Sequence, residues 1–454
     1  MSKVRPSLLR GFDQEYRPDE QLLFNGIVDT IRKNFERCGF WPIETPSAER
    51  IEVLTSKGGV EKEIYALTRL AAGPEEDNSA KGALRFDLTV PLARYVAMRQ
   101  LELAFPFRRY QIQRVWRGET PQANKGRFRE FYQCDIDIIN REKLSYLAEA
   151  EIPSVIYGVF KALGVGEFRI RINNRKILRG LLQRFDVPQQ QSALVLRTLD
   201  KVEKEDAAVL IKELERAGMN GAEAAELHGI ISTRRSTDET LRMLAGLAGR
   251  NEVFEQGLDE LNSIVKAIGQ FGVPKSAFCV DLSVVRGLDY YTGTIYETTL
   301  LDHPELGSVC SGGRYDDLAG HFTDTKLPGV GISIGLTRLF SKLKEAGLLG
   351  LPPRSPSEAL VTTMDHRYLD QYLEFGRLLR QSDINTEIYL EEAKLKKQLE
   401  YANKKGFRVA IIAGENEIGS GVVQVKNLVS QTSSDFPLDQ MVSGVKAALE
   451  KKGS

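Results

Sequence analysis

Apolar residues at Leu22, Leu23, Ile27, Ile31 and Phe35 recur with helical spacing. They predict a helix over Asp19–Cys38, closed by Gly39. Trp41-Pro-Ile-Glu-Thr-Pro then reads as extended chain. Residues 70–82 are polar and turn-rich, as in a hairpin tip or mobile loop. From Leu84 to Val90 the pattern switches to period two, which predicts a half-buried strand, and Pro91 sits where a helix can start. Alternation returns over Phe107–Ile139, interrupted by a polar loop, Gly118–Gly126. That predicts two long antiparallel strands joined by the loop.

From 174 to 272 the chain is rich in Ala, Leu, Glu, Lys and Arg at helical spacing, which predicts an inserted helical module. Strand-like sequence returns at Phe278–Val285 and Thr294–Thr299, followed by a glycine-rich run over Gly307–Gly313. Gly329–Phe340 reads as a strand turning into a buried helix. Pro, Gly and Ser then concentrate in Leu348–Ser357, a linker by composition. Beyond it strands and helices alternate, which predicts a small α/β domain with a largely parallel sheet. The expected divisions are 1–173, 174–272, 273–349 and 358–454.

Composition narrows the function classes. The 454 residues are 42% hydrophobic and 27% charged, which argues against a mostly disordered or collagen-like chain. No apolar run reaches the roughly 20 residues needed to span a bilayer. The N-terminus shows no apolar signal segment, so a cytoplasmic protein with no membrane partner is expected. Lys and Arg total 62 and Asp and Glu total 62, a balance that neither suggests nor excludes nucleic acid, since a local basic patch suffices. Cys38, Cys134, Cys279 and Cys310 have no CxxC spacing; reduced, mostly buried thiols are expected and no metal site.

Several clusters carry possible chemistry. Arg117 ends a predicted strand, and Lys125, Arg127 and Arg129 follow across the loop, with Glu119 and Glu130 among them. Such guanidiniums suit phosphate oxygens, although a solvated, salt-bridged hairpin has the same composition. Period two places Gln133, Asp135 and Asp137 on one strand face, opposite Cys134, Ile136 and Ile138. If that face is covered, its carboxylates need a cation: a bound ammonium, a metal or a neighbouring Arg. Asp87 and Thr89 form a similar pair. Val285-Arg-Gly-Leu-Asp-Tyr-Tyr-Thr-Gly joins Arg286, Tyr290 and Tyr291 to glycines that let backbone approach a ligand. Arg338 stands early in the helix after the glycine-rich strand. Neither a GxxxxGK[ST] phosphate loop nor a GxGxxG at dinucleotide spacing occurs.

Together these signals resemble one family. The arginine-bearing strand–loop–strand and Gly335-Leu-Thr-Arg338 are similar to motifs 2 and 3 of class II aminoacyl-tRNA synthetases. Arg286-Gly-Leu-Asp-Tyr-Tyr-Thr-Gly and Val309-Cys-Ser-Gly-Gly-Arg-Tyr-Asp316 resemble the two histidine motifs of the histidyl-tRNA synthetase family. Gly414-Glu-Asn-Glu-Ile and Val423-Gln-Val-Lys-Asn-Leu fit its anticodon-binding module. The resemblance implies an α+β fold: an antiparallel-sheet class II core, a helical insertion and a C-terminal α/β anticodon-binding domain.

It also implies roles. Arg117 would hold the α-phosphate of ATP, Glu119 and Arg127 would position the nucleotide, and Arg338 would clamp the γ-phosphate. Asp87, Leu88, Thr89 and Asp137 would bind histidine, Gln133 would approach its carboxylate, and Tyr290, Tyr291 and Tyr315 would line the imidazole pocket. Arg286 would be a fixed cation beside the α-phosphate. Mg²⁺ is expected with ATP, tRNA(His) as the acceptor, and a homodimer. Two rivals are a non-catalytic regulatory subunit of ATP phosphoribosyltransferase, expected to lack the C-terminal module and the arginine at 286, and a free-standing RNA-binding module.

Overall fold

The computed structural model describes residues 5–56, 61–70, 81–122, 126–248, 251–285, 291–317, 319–350 and 355–450. The chain divides into two compact units, one of residues 1–14 and 27–348 and one of residues 15–26 and 349–454. Strands of the first unit are β1 (Trp41–Pro42), β2 (Ala48–Arg50), β3 (Tyr65–Ala66), β4 (Gly82–Leu84), β5 (Phe107–Trp116), β6 (Glu130–Ile139), β7 (Phe168–Asn174), β8 (Phe278–Val280), β9 (Thr294–Leu300), β10 (Ser308–Tyr315) and β11 (Gly329–Gly335). Eight of them form one sheet in the order β1-β5-β6-β11-β10-β9-β7-β8. Only its edge pairs, β1 with β5 and β7 with β8, are parallel.

Register decides what this sheet presents. Asp135 on β6 lies beside Gln111 on β5 and Ser333 on β11. Ser333 pairs with Ser311, Ser311 with Glu297, Glu297 with Arg171 and Arg171 with Cys279. Partners in register share a face, so one polar row crosses seven adjacent strands. The opposite side is apolar: Cys134, Ile136 and Ile138 of β6 are at most 2% exposed.

The segment 84–90 departs from its period-two pattern. The strand stops at Leu84 and a helix runs over Thr89–Arg99. Leu88 is the N-cap, and just before it Asp87 Oδ1 accepts from Val90 N at 3.1 Å, satisfying one of the free N–H groups of the first turn. Leu92, Ala93 and Val96 of this helix join Phe107, Ile139 and Tyr315 in one buried cluster, fixing the helix start over β5, β6 and β10. The predicted strand from Phe278 ends at Val280, since Asp281 turns to bond Ser283. Among the described residues six helices lie between Arg175 and Gln270, where the helical module was expected. Most of the polar loop 70–82 lies outside the described residues.

In the second unit the strands β12 (Ala359–Val361), β13 (Thr386–Ile388), β14 (Val409–Ile412), β15 (Val422–Asn427) and β16 (Ser433–Pro437) run in the order β13-β12-β14-β15-β16. The sheet is less parallel than its alternating pattern suggested: β15 and β16 form an antiparallel hairpin on its edge. The short polar sequence of β16 carries no strand signal. Tyr372, Leu379, Val409, Val423, Met441 and Val445 fill the core, all with no exposure. None of the four cysteines forms a disulfide; Cys134 and Cys310 are buried and the other two half-buried.

Candidate active site

Two cavities open on the polar face of the large sheet. The first, of about 240 Å³, is lined by Asp87, Thr89, Arg117, Asp135, Asp137, Tyr291 and Tyr315 among others. The second, of about 210 Å³, is lined by Glu119, Arg127, Phe131 and Arg338 among others. Gln133, Ser311 and Ser333 line both. Side chains more than 200 positions apart in the sequence therefore surround one bipartite site. Leu88 differs: its side chain has no exposure and faces the core, so only its backbone is available to a ligand. Arg286 and Tyr290 lie outside the described residues.

Carboxylates dominate the first cavity. Asp137 Oδ2 lies 2.5 Å from Arg109 Nη2, and Tyr315 Oη donates to Asp137 Oδ1 at 2.8 Å. Arg109 has no exposure, so it works from behind the cavity wall. Asp135 is 3% exposed, and its Oδ1 is buried without a hydrogen-bond partner. Burial pushes the Asp135 carboxyl up to about 7; Arg109 and the Ser333 hydroxyl oppose this, while Asp137 and Asp87 add to it. Burial likewise raises Asp137 to about 6 against the pull of Arg109 and the Tyr315 hydrogen bond. An acidic slot with an unsatisfied buried oxygen suits a ligand that brings N–H donors and positive charge.

Arg117 stands at the junction. Its Nε donates to Phe86 O at 3.0 Å and its guanidinium lies 5.2 Å from the Phe131 ring centroid. The terminal nitrogens have no hydrogen-bond partner among the described residues, leaving the planar fork for an anion. On the far side, the Arg338 stem packs where a Cβ at Gly126 would stand, 2.7 Å from its Cγ. Gly126 also has φ +64°, so glycine is required there twice over. Arg338 Nη2 donates to Leu306 O at 2.9 Å. Thr337 Oγ1 accepts from Tyr132 N at 2.8 Å, pinning the helix Leu336–Glu345 to the start of β6.

Gly331 separates Asp137 from β10. A Cβ there would fall 2.1 Å from Asp137 Oδ1 and 2.4 Å from Ile136 O. Gly331→Ala should therefore displace the carboxylate, at a cost of about 1–3 kcal/mol of stability. Denaturant unfolding checks it.

Two family models cover most of the chain. A family model described as histidyl-tRNA synthetase matches residues 13–339, and one described as an anticodon binding domain matches residues 358–448. The chain belongs to the histidyl-tRNA synthetase family. A histidine–tRNA ligase from Xanthomonas axonopodis is 46% identical over 96% of this chain and 95% of its own length. A crystal structure of the histidyl-tRNA synthetase from Nostoc superposes with a TM-score of 0.88 at 39% identity, covering 98% of this chain and all of that one. A Bacillus halodurans chain described as an ATP phosphoribosyltransferase regulatory subunit/histidyl-tRNA synthetase shares the fold at 19% identity, with a TM-score of 0.73 over 88% of this chain and 97% of that one.

The acid-lined cavity of this chain depends on residues not singled out in the sequence. Arg109, Ser311 and Ser333 are examples. Arg109 had a signal: Arg109, Gln111 and Gln113 alternate on β5 as Gln133, Asp135 and Asp137 do on β6, and the register pairs them one to one.

Proposed function

We propose that this synthetase works as a histidine–tRNA ligase through the two cavities described, histidine in the acidic one and ATP in the basic one. The observation that carries this reading is the shared wall of Gln133, Ser311 and Ser333. At that wall a carboxylate held at Gln133 would meet an α-phosphate held by Arg117, which lines the acidic cavity.

In the first step a histidine carboxylate oxygen attacks the α-phosphorus in line. The α–β bridging bond breaks and pyrophosphate leaves. Arg117 stabilises charge on the α-phosphate, Glu119 and Arg127 position the nucleotide, and Arg338 holds the γ-phosphate. Arg286 adds a second cation at the α-phosphate. Asp87 and Thr89 take the α-ammonium, and Asp137, Tyr290, Tyr291 and Tyr315 take the imidazole. In the second step the 3′-terminal ribose hydroxyl of tRNA(His) attacks the carbonyl carbon and AMP leaves.

Among the described residues no group of three metal-ligating side chains occurs. Mg²⁺ would enter with ATP and would supply charge neutralisation for the departing pyrophosphate. The C-terminal unit would bind the anticodon. A homodimer in the cytoplasm completes the proposal; among the described residues no helix is long and apolar enough to cross a membrane.

Pyrophosphate exchange with each of the twenty amino acids tests the reading. Exchange is expected with histidine alone, because a slot built around imidazole N–H groups leaves its own polar atoms unpaired with an apolar substrate. No exchange with histidine would favour the regulatory-subunit alternative.

The raised carboxyl at Asp135 predicts a pH dependence. Its folded value, about 7, lies above that of an unfolded carboxyl, so folding favours its protonated form. That stabilising preference fades as pH rises through about 7. A cationic ligand prefers the ionised form, so histidine affinity should rise over the same window, from about pH 6 to about pH 8. In Asp135→Asn the upper part of this rise should vanish, as read from the pH profile of the histidine KM. A variant profile superimposable on the parent would exclude Asp135.

A further inference from the structure

A third cavity, of about 580 Å³, lies on the same polar row at the β7–β8 end of the sheet. Loops of the helical module form one side of it, through Glu203, Lys204, Arg234 and Arg235. The segment Pro304–Ser308 forms another, and Ser308 also lines the nucleotide cavity.

The charges on this wall do not cancel. Arg171 lies 2.7 Å from Asp281, 3.1 Å from Glu297 and 2.5 Å from Glu203. Arg234 pairs with Asp281 and Glu203 as well. All three acidic wall residues are thus already engaged by guanidiniums. Three further cations line the cavity, Arg169, Lys204 and Arg235, and none of them makes an ion pair with a described residue. Arg169 is the telling one: it is half-buried, and its Nε is buried without a hydrogen-bond partner. A buried guanidinium nitrogen with no acceptor is costly. Arg235 Nη1 reaches only Thr233 O, at 3.3 Å. Leu301, Pro304 and Cys279 add apolar surface beside these cations. The volume falls in the range of small-ligand sites.

We propose that this cavity is a second phosphate-binding site, distinct from the ATP pocket, in which Arg169, Arg235 and Lys204 hold a phosphate group. Guanidiniums without a carboxylate partner match phosphate geometry, and the surrounding apolar surface takes the rest of the ligand. A phosphorylated small molecule and a phosphodiester of the tRNA share this chemistry.

The test uses the full-length enzyme with its active site filled by a non-hydrolysable histidyl-adenylate analogue. Inorganic phosphate and AMP are then titrated by calorimetry into the parent, Arg169→Gln, Arg235→Gln and Lys204→Gln. Binding is expected in the parent and should weaken at least about tenfold in Arg169→Gln and Arg235→Gln and less in Lys204→Gln, with pyrophosphate exchange unchanged. Lys204 is exposed, so its variant keeps the test open if the arginine variants fold poorly. The tRNA KM in aminoacylation separates the two sources. A rise in the variants assigns the phosphate to RNA; an unchanged KM with lost phosphate and AMP binding assigns it to a small molecule. No phosphate or AMP binding in the parent, or equal binding in parent and variants, overturns the proposal.

Discussion

Replacing Arg117 with alanine should lower histidine-dependent pyrophosphate exchange by about 10²–10³-fold, roughly 3–4 kcal/mol of transition-state stabilisation. The effect should fall on the turnover rate, with the histidine KM changed far less. Arg117 is anchored by one nitrogen to Phe86 O at 3.0 Å and rests on the Phe131 ring, so its fork is set before substrate arrives. In the proposed reaction, charge developing on the α-phosphate would meet a donor that does not have to reorganise. Arg117→Lys keeps the charge without the planar pair of donors, so it should recover only part of the loss. Single-turnover adenylate formation separates the chemical step from binding. A normal rate in the alanine variant would remove Arg117 from the mechanism.

Arg109→Met is expected to cause the largest loss of stability, about 3–5 kcal/mol, by leaving Asp137 buried beside no cation. Arg109 and Asp137 have side-chain exposures of 0% and 5%, so water does not replace the lost partner. The loss has a sign in pH. Without Arg109 the Asp137 carboxyl must rise further above its present value of about 6. The protonated form is the one folding then tolerates, so destabilisation should be small at acidic pH and grow as pH increases through that range. Denaturant unfolding of the catalytic unit at about pH 5 and about pH 8 measures it. Equal losses at both would show that packing, rather than the ion pair, is what Arg109 supplies. Histidine affinity should fall as well, because Arg109 fixes the carboxylate without touching the ligand.

The strands that build the site were legible because period two survives in them. Gln133, Asp135 and Asp137 alternate with Cys134, Ile136 and Ile138, and one face meets the cavities while the other meets the core. The helix at Thr89 was not legible by periodicity. Leu84–Val90 alternates, yet the chain leaves the sheet after Leu84 and Asp87 Oδ1 accepts from Val90 N in the first turn of the helix, a local bond that period two does not show. Arg109 shows a different limit. Its alternation with Gln111 and Gln113 is visible, but its partner is fixed only by the hairpin register, which depends on the loop between β5 and β6. The third cavity was invisible in sequence because its walls come from separate helical loops and strands that only folding joins.

The partition between the acidic and basic cavities rises from three neighbouring strands, β6, β11 and β10, through Gln133, Ser333 and Ser311. Ladder hydrogen bonds hold all three backbones, so this divider has no hinge. Substrate analogues must then be accommodated at the outer ends of the trough, and lengthening either substrate near its reacting atoms should be punished far more heavily than lengthening it at its far end.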